Sequence, residues 1–361
     1  MGYKLSNAVV RTTRAEGLDA LRFLLAFWVL AAHMNHWAFT TAPHWFTGTM
    51  TSLVSLFQPT SETHPAVIAF IVLSGYCIHR NGLRAENTAI SPYVIRRTFR
   101  ILPIFILATG VGALAGNYIL GDANISVGGI ALKLIGVSAF VPSLNAVTYQ
   151  GNGPLHTVMV ECWLYVVYPL VMLFLIRGGR ERMVWIALGA IWILGVLFCR
   201  GNPALTNWWH NGSLLGFLLY WWIGAWLVSG RLPRHILAVA VGLWIALSLK
   251  LLITGPSSDL IFVEARKVVF ALLIGAFIAA IDKPARLTIG RLGCAGYSLY
   301  AFHAPVGLVL LLAGFPWWLA MAGAIAFGFL AFLTVESPLT RLGKTIASST
   351  ASAAEERYIA S

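Results

Sequence analysis

Eleven apolar runs dominate this chain, at about 18–38, 65–79, 99–118, 127–142, 155–176, 182–199, 213–229, 235–253, 264–281, 293–313 and 317–335. Most reach the roughly 18 residues that a helix needs to cross about 30 Å of hydrocarbon. Of the 361 residues, 58% are hydrophobic and only 11% are charged, whereas a soluble domain carries about 25% charged residues. Such a chain lacks the polar side chains to cover a surface in water. The sequence therefore predicts an all-α polytopic membrane protein. It excludes a secreted disulfide scaffold, a disordered chain, a β-barrel and a cytosolic enzyme. No internal repeat is evident, which weighs against a transporter built from inverted halves.

Loop charges decide which runs cross. Basic clusters stand at Arg11/Arg14, Arg80/Arg84/Arg96/Arg97/Arg100, Arg177/Arg180/Arg182, Arg231/Arg234, Lys283/Arg286/Arg291 and Arg341/Lys344. The connections 39–64, 119–126, 143–154 and 314–316 hold no Lys or Arg. If every run crossed, the neutral 143–154 connection would face the cytoplasm and the Arg177–Arg182 cluster would face out, against the positive-inside rule. Treating 127–142, which carries Lys133, as re-entrant or interfacial places every cluster inside. The prediction is ten transmembrane helices with both termini cytoplasmic. Arg200 and Arg266/Lys267, near outer helix ends, fit it least. The transmembrane domain is expected over 1–344, with 345–361 as a loose cytoplasmic tail. The first run opens with Asp19 and Arg22, so it reads as a retained span and not as a cleaved signal.

The formal net charge of +12 is accounted for by cytoplasmic loops, and a nucleic-acid partner is not expected. Cys77, Cys162, Cys199 and Cys294 lie in separate apolar segments without paired spacing. They read as packing residues and not as metal ligands.

Ionisable groups at mid-membrane cost about 2.5–3.5 kcal/mol each on insertion scales, so each needs a reason. Arg22 and His33 are eleven residues apart, about 16 Å along a helix and close to the same face; Asp19 shares that stripe. The pattern fits either an anchoring Asp/Arg pair with a packing histidine, or a functional face. Arg96 and Arg97 precede Arg100 by four and three residues, a spacing that lets guanidiniums converge on phosphates or on lipid headgroups. Glu161 stands two turns inside an apolar helix, where it pairs with a cation such as Arg22 or stays neutral. Tyr297, Tyr300 and His303 recur at i, i+3 and i+6, lining a cavity or sitting in an interfacial belt.

Six elements in order resemble the membrane acyltransferase-3 family of bacterial integral-membrane O-acyltransferases. They are Leu18-Asp-Ala-Leu-Arg22 with His33; Phe70-Ile-Val-Leu-Ser74-Gly75-Tyr76; Arg96-Arg97-Thr-Phe-Arg100-Ile-Leu-Pro103; Pro154-Leu-His156 through Glu161 and Tyr165; Gly296-Tyr297-Ser298-Leu-Tyr300-Ala-Phe-His303-Ala-Pro305; and Val335-Glu336-Ser-Pro338. His156 replaces the family's usual Trp and Cys162 its second acidic residue, so neither inherits a role.

The resemblance implies acyl transfer, usually acetyl, from a cytoplasmic acyl-CoA to a hydroxyl of a surface or lipid-linked saccharide, in the bacterial cytoplasmic (inner) membrane. His33 becomes the expected base or acyl carrier. Arg22 is expected to stabilise charge or hold the donor, with Glu161 beside it. Arg96, Arg97 and Arg100 become expected contacts for the phosphates of acetyl-CoA, a donor substrate and not a bound cofactor. Asp19, Tyr165, Tyr297, Tyr300 and His303 are expected to line the site, and no metal is expected. Expected partners are the donor, the glycan acceptor, membrane lipid and glycan-assembly machinery. Two other classes remain open from sequence: a transporter or flippase of a glycan or lipid precursor, and a structural subunit of a glycan-assembly complex.

Overall fold

The computed structural model describes residues 16–37, 42–57, 64–84, 90–116, 125–145, 152–172, 181–228, 232–255, 259–283, 290 and 292–360. Arg11, Arg14, Arg177, Arg180, Arg231, Arg286 and Arg291 of the basic clusters lie outside them. The described residues are predominantly helical, without strands. In chain order the α-helices are α1 (Glu16–Trp37), α2 (His44–Phe57), α3 (Pro65–Arg84), α4 (Ile90–Ala115), α5 (Val127–Ile135), α6 (Leu155–Val171) and α7 (Glu181–Cys199). They continue with α8 (Pro203–Asn211), α9 (Leu214–Trp226), α10 (Arg234–Thr254), α11 (Leu260–Ile281), α12 (Gly296–Leu312), α13 (Trp317–Ala331) and α14 (Ser337–Ala360).

Among the described residues six stretches are long and apolar enough to cross a membrane: Glu16–Asn35, Ile90–Ala115, Glu181–Cys199, Arg234–Thr254, Gly293–Leu312 and Trp317–Thr350. The chain is a multi-pass helical membrane protein. The other expected spans are helical but shorter or more polar. Helices α6 and α9 have 17 and 13 residues, α3 ends in a polar turn, and α11 carries Glu264, Arg266 and Lys267.

The 127–142 segment folds as α5, nine residues capped by Ser126 and by Gly136 at φ 79°, followed by short 3-10 turns. Nine residues rise about 14 Å, less than half the hydrocarbon thickness. Lys133 in its middle is fully buried and donates from Nζ to the Asn152 carbonyl at 3.3 Å. Asn152 Nδ2 in turn donates to the carbonyls of Ala301 at 3.0 Å and Ala108 at 3.3 Å, tying the entrance of α6 to α12 and α4.

The cationic residues that fit the orientation least have local partners. Arg200 pairs with Asp259 at 3.3 Å, and Arg266 stacks over the Trp244 ring at 4.7 Å. Lys267 pairs with buried Glu264 at 3.1 Å. Glu264 also receives Trp192 Nε1 at 3.1 Å, the Tyr220 hydroxyl and His210.

Two close backbone approaches set the site's geometry. A Cβ at Gly75 would lie 1.9 Å from the Trp221 carbonyl oxygen, and one at Gly224 would lie 1.9 Å from that of Val72. Helices α3 and α9 therefore touch backbone to backbone, as membrane helices do at small residues. At the start of α12, a Cβ at Gly293 would meet the Asp19 carbonyl oxygen at 1.7 Å, which seats α12 against the Asp19–Arg22 turn of α1. At the C-terminus, the backbone of 345–360, expected to be loose, continues α14 as a helix; its Ala, Glu and Arg are strong helix formers.

Candidate active site

Helix α1 turns Asp19, Arg22 and His33 toward the bundle interior. Arg22 Nη1 donates to Asp19, while Nη2 lies 2.8 Å from Cys77 Sγ. Cys77, expected merely to pack, is thus a partner of the guanidinium.

Arg22 lines a cavity of about 100 Å³ together with Arg97, Arg100, Glu161, Tyr165, Tyr297 and Tyr300. Arg97 reaches it between two rings, 5.8 Å from the Tyr93 centroid and 5.5 Å from that of Tyr165. Tyr93 Oη donates to the Tyr165 carbonyl at 3.0 Å, which fixes that slot. Arg96 is exposed and does not line this cavity, because the 100° step between adjacent helical residues turns it outward while Arg97 turns in. Two of the three clustered guanidiniums converge, and Arg22 is the third cation of the chamber.

Glu161 accepts a hydrogen bond from Tyr165 Oη, and no cation lies within 4 Å of it among the described residues. Tyr165 Oη is also 3.0 Å from Ser74 Oγ, which accepts Trp221 Nε1 at 3.3 Å. The carboxylate is therefore held by a tyrosine and faces the arginines across the cavity without contact.

The stripe on α12 lies in the bundle and not in an interfacial belt. Tyr297 Oη donates to the Ile101 carbonyl at 3.1 Å. Tyr300 Oη lies 2.6 Å from Thr157 Oγ1 and 3.1 Å from the Pro154 carbonyl. His303 is fully buried, and its Nδ1 donates to the Tyr300 carbonyl at 2.7 Å. That bond leaves Nε2 as a lone-pair acceptor, without a hydrogen-bond partner among the described residues.

His33 lines a second cavity of about 330 Å³, with His64, His156, Thr157, Trp208, Asn211 and Tyr300. The His303 ring stands edge-on to His33, with centroids 5.1 Å apart and planes at 74°. Val67, Thr157 and Tyr300 line both cavities. The bonded Tyr300–Thr157 hydroxyls therefore form part of the wall between an arginine chamber and a histidine chamber.

A family model described as "Acyltransferase domain" matches residues 16–337. The chain belongs to the acyltransferase-3 family. No curated protein and no solved structure matches it. A membrane acyltransferase needs a group that holds an activated donor, a base for the incoming nucleophile and a path between them. In this family member cations and an imidazole occupy separate chambers with a common wall.

Several residues of the acyltransferase site went unread in the sequence. Ser74 and Thr157 lie within the recognised elements but carry hydroxyls too common to single out. His64, just before Pro65, looks like a histidine at a membrane surface, and nothing in its spacing links it to His33. Outside the two cavities, His210 and Glu264 meet although they stand 54 positions apart in sequence, which no local pattern reveals.

Proposed function

We propose that this protein is an O-acetyltransferase that moves an acetyl group from cytoplasmic acetyl-CoA to a hydroxyl of a surface or lipid-linked saccharide. It works in the bacterial cytoplasmic membrane, crossing it ten times with both termini cytoplasmic. The observation that carries this reading is the pair of chambers joined at Tyr300 and Thr157. One is lined by Arg22, Arg97 and Arg100, the other by His33.

The chemistry follows from the distances. Guanidiniums suit the phosphates of CoA through paired, charge-assisted hydrogen bonds. Arg22 and His33 are separated by eleven residues of one helix, about 16 Å, a span that the extended pantetheine arm bridges. The donor then lies with its phosphates at Arg97 and Arg100 and its thioester past Tyr300. In the histidine chamber His33 takes the proton of the acceptor hydroxyl as the oxygen attacks the thioester carbonyl. The His303 ring, edge-on to His33 with centroids 5.1 Å apart, holds the plane of the base. Glu161, held by Tyr165, orders the charge around Arg22.

The test is transfer of label from acetyl-CoA to an envelope glycan extract by the purified protein. Labelled glycan and free CoA in equal amounts support the reading. Movement of glycan across proteoliposomes without thioester consumption would replace it with the transporter.

A further inference from the structure

The histidine chamber has an electrostatic requirement that Arg22 does not meet. When a hydroxyl activated by His33 attacks the thioester, negative charge develops on the carbonyl oxygen, and a donor must stand about 2.7–3.1 Å from it. Arg22 lies about 16 Å away along α1. Four other side chains with donors at this cavity have them in hydrogen bonds. Trp208 Nε1 donates to the Ser138 carbonyl at 2.7 Å, and Asn211 Nδ2 donates to Asn207 Oδ1 at 2.7 Å. Tyr300 and Thr157 are bonded to each other and to the Pro154 carbonyl.

His64 differs. It lines the same cavity as His33, at the entrance to α3. The Ala66 amide donates to its Nδ1 at 3.2 Å, so Nδ1 is the acceptor and the proton resides on Nε2. Nε2 is sealed from solvent and has no hydrogen-bond partner among the described residues. Trp28 packs edge-on against the ring, centroids 5.1 Å apart, and holds its plane. A buried N–H without a partner is costly in a native structure, and a ligand oxygen would satisfy it. His303 cannot serve in this way, since its own Nδ1 bond leaves Nε2 without a proton.

We propose that His64 is a further catalytic residue, whose Nε2–H donates to the thioester carbonyl oxygen as it becomes an oxyanion. The acceptor hydroxyl proton passes to His33, and the oxygen bonds to the carbonyl carbon. The electron pair pushed onto the carbonyl oxygen is held by His64. Collapse then breaks the carbon–sulfur bond, and the CoA thiolate takes the proton from His33. Ester and free thiol leave, and both histidines return to their starting states. The inference rests on the acyltransferase reading with His33 as base.

The test compares His64→Phe, which keeps a ring against Trp28, with His64→Gln, which restores an N–H at a similar reach. Both are made in the full chain and assayed with labelled acetyl-CoA and the envelope glycan extract. Removing one oxyanion donor costs about 10²- to 10³-fold in kcat, and that loss is expected for His64→Phe. KM for acetyl-CoA stays within about twofold, since the change acts on the transition state alone. His64→Gln recovers at least about tenfold over His64→Phe, because it again offers a donor. Unchanged acetyl-CoA binding by both variants establishes that each is folded. Turnover of His64→Phe within about threefold of wild type would overturn the role, as would a folded His64→Gln no better than His64→Phe. Absence of transfer by wild type would instead overturn the acyltransferase reading beneath it.

Discussion

Tyr300 Oη and Thr157 Oγ1 sit 2.6 Å apart on the wall shared by the arginine and histidine chambers. Both hydroxyls also reach the Pro154 carbonyl, at 3.1 and 3.0 Å. In the proposed reaction this knot stands between the arginine chamber that holds the donor's phosphates and the histidine chamber where transfer occurs. Tyr300→Phe together with Thr157→Val removes it with little change in shape. The expected outcome is a larger share of acetyl-CoA lost as free acetate instead of ester, because water then gains access to the thioester. The ratio of labelled acetate to labelled glycan reads this directly. An unchanged ratio would show that the knot does not guard the path.

The arginines separate by face. A hydrogen bond to a charged group contributes about 1.5–3 kcal/mol, or roughly 10- to 150-fold in affinity. Arg97→Ala and Arg100→Ala are each expected to raise KM for acetyl-CoA by an amount in this range. Arg96→Ala, on the exposed face, is expected to leave KM unchanged. Acetyl-CoA titrations of the three variants side by side check the division, and equal losses would place Arg96 in the donor site after all.

The contact between α3 and α9 leaves no room for a methyl group. Gly75→Ala puts a Cβ where the Trp221 carbonyl oxygen is only 1.9 Å away, and backbone cannot yield as a flexible side chain can. Overpacking of this kind costs about 1–3 kcal/mol. The midpoint for heat-induced loss of folded protein in detergent is expected to fall, and Gly224→Ala to act in the same direction. A midpoint equal to wild type for both would contradict the packing.

Glu264 holds His210, Lys267, Tyr220 and Trp192 in one buried cluster. Removing one partner of a buried ion pair destabilises by about 3–5 kcal/mol, because the other charge is left uncompensated. Glu264→Ala is therefore expected to lower thermal stability strongly, while Glu264→Gln combined with Lys267→Met recovers much of it. The double-mutant cycle measures the coupling. Additive losses would show that the two charges do not depend on each other.

The all-helical membrane architecture was legible, because hydropathy reports transfer into lipid, whereas the short helices α2 and α8 lie outside every apolar run. Arg22 and His33 were legible for a related reason: an ionisable group in hydrocarbon is conspicuous, and helical spacing fixes which of them share a face. Rotation of a helix about its axis was not legible. Arg96 and Arg97 are neighbours in sequence, and only packing of α4 against its partners turned one inward. Contacts between distant segments were hidden for the same reason. Nothing near Glu264 announces His210, and nothing near His64 announces His33. Lys133 was visible as an obstacle to crossing, but its burial against the Asn152 carbonyl depends on a loop that the sequence leaves featureless.

The most direct measurement is acetyl transfer from labelled acetyl-CoA to envelope glycan by wild type and by His33→Ala, each purified in the full chain. Loss of a positioned base costs about 10²- to 10⁴-fold. Labelled glycan is expected with wild type, a loss of turnover in that range with His33→Ala, and acetyl-CoA binding in both. Equal transfer by the two proteins would contradict the role of His33, because the histidine chamber would then hold no part of the chemistry.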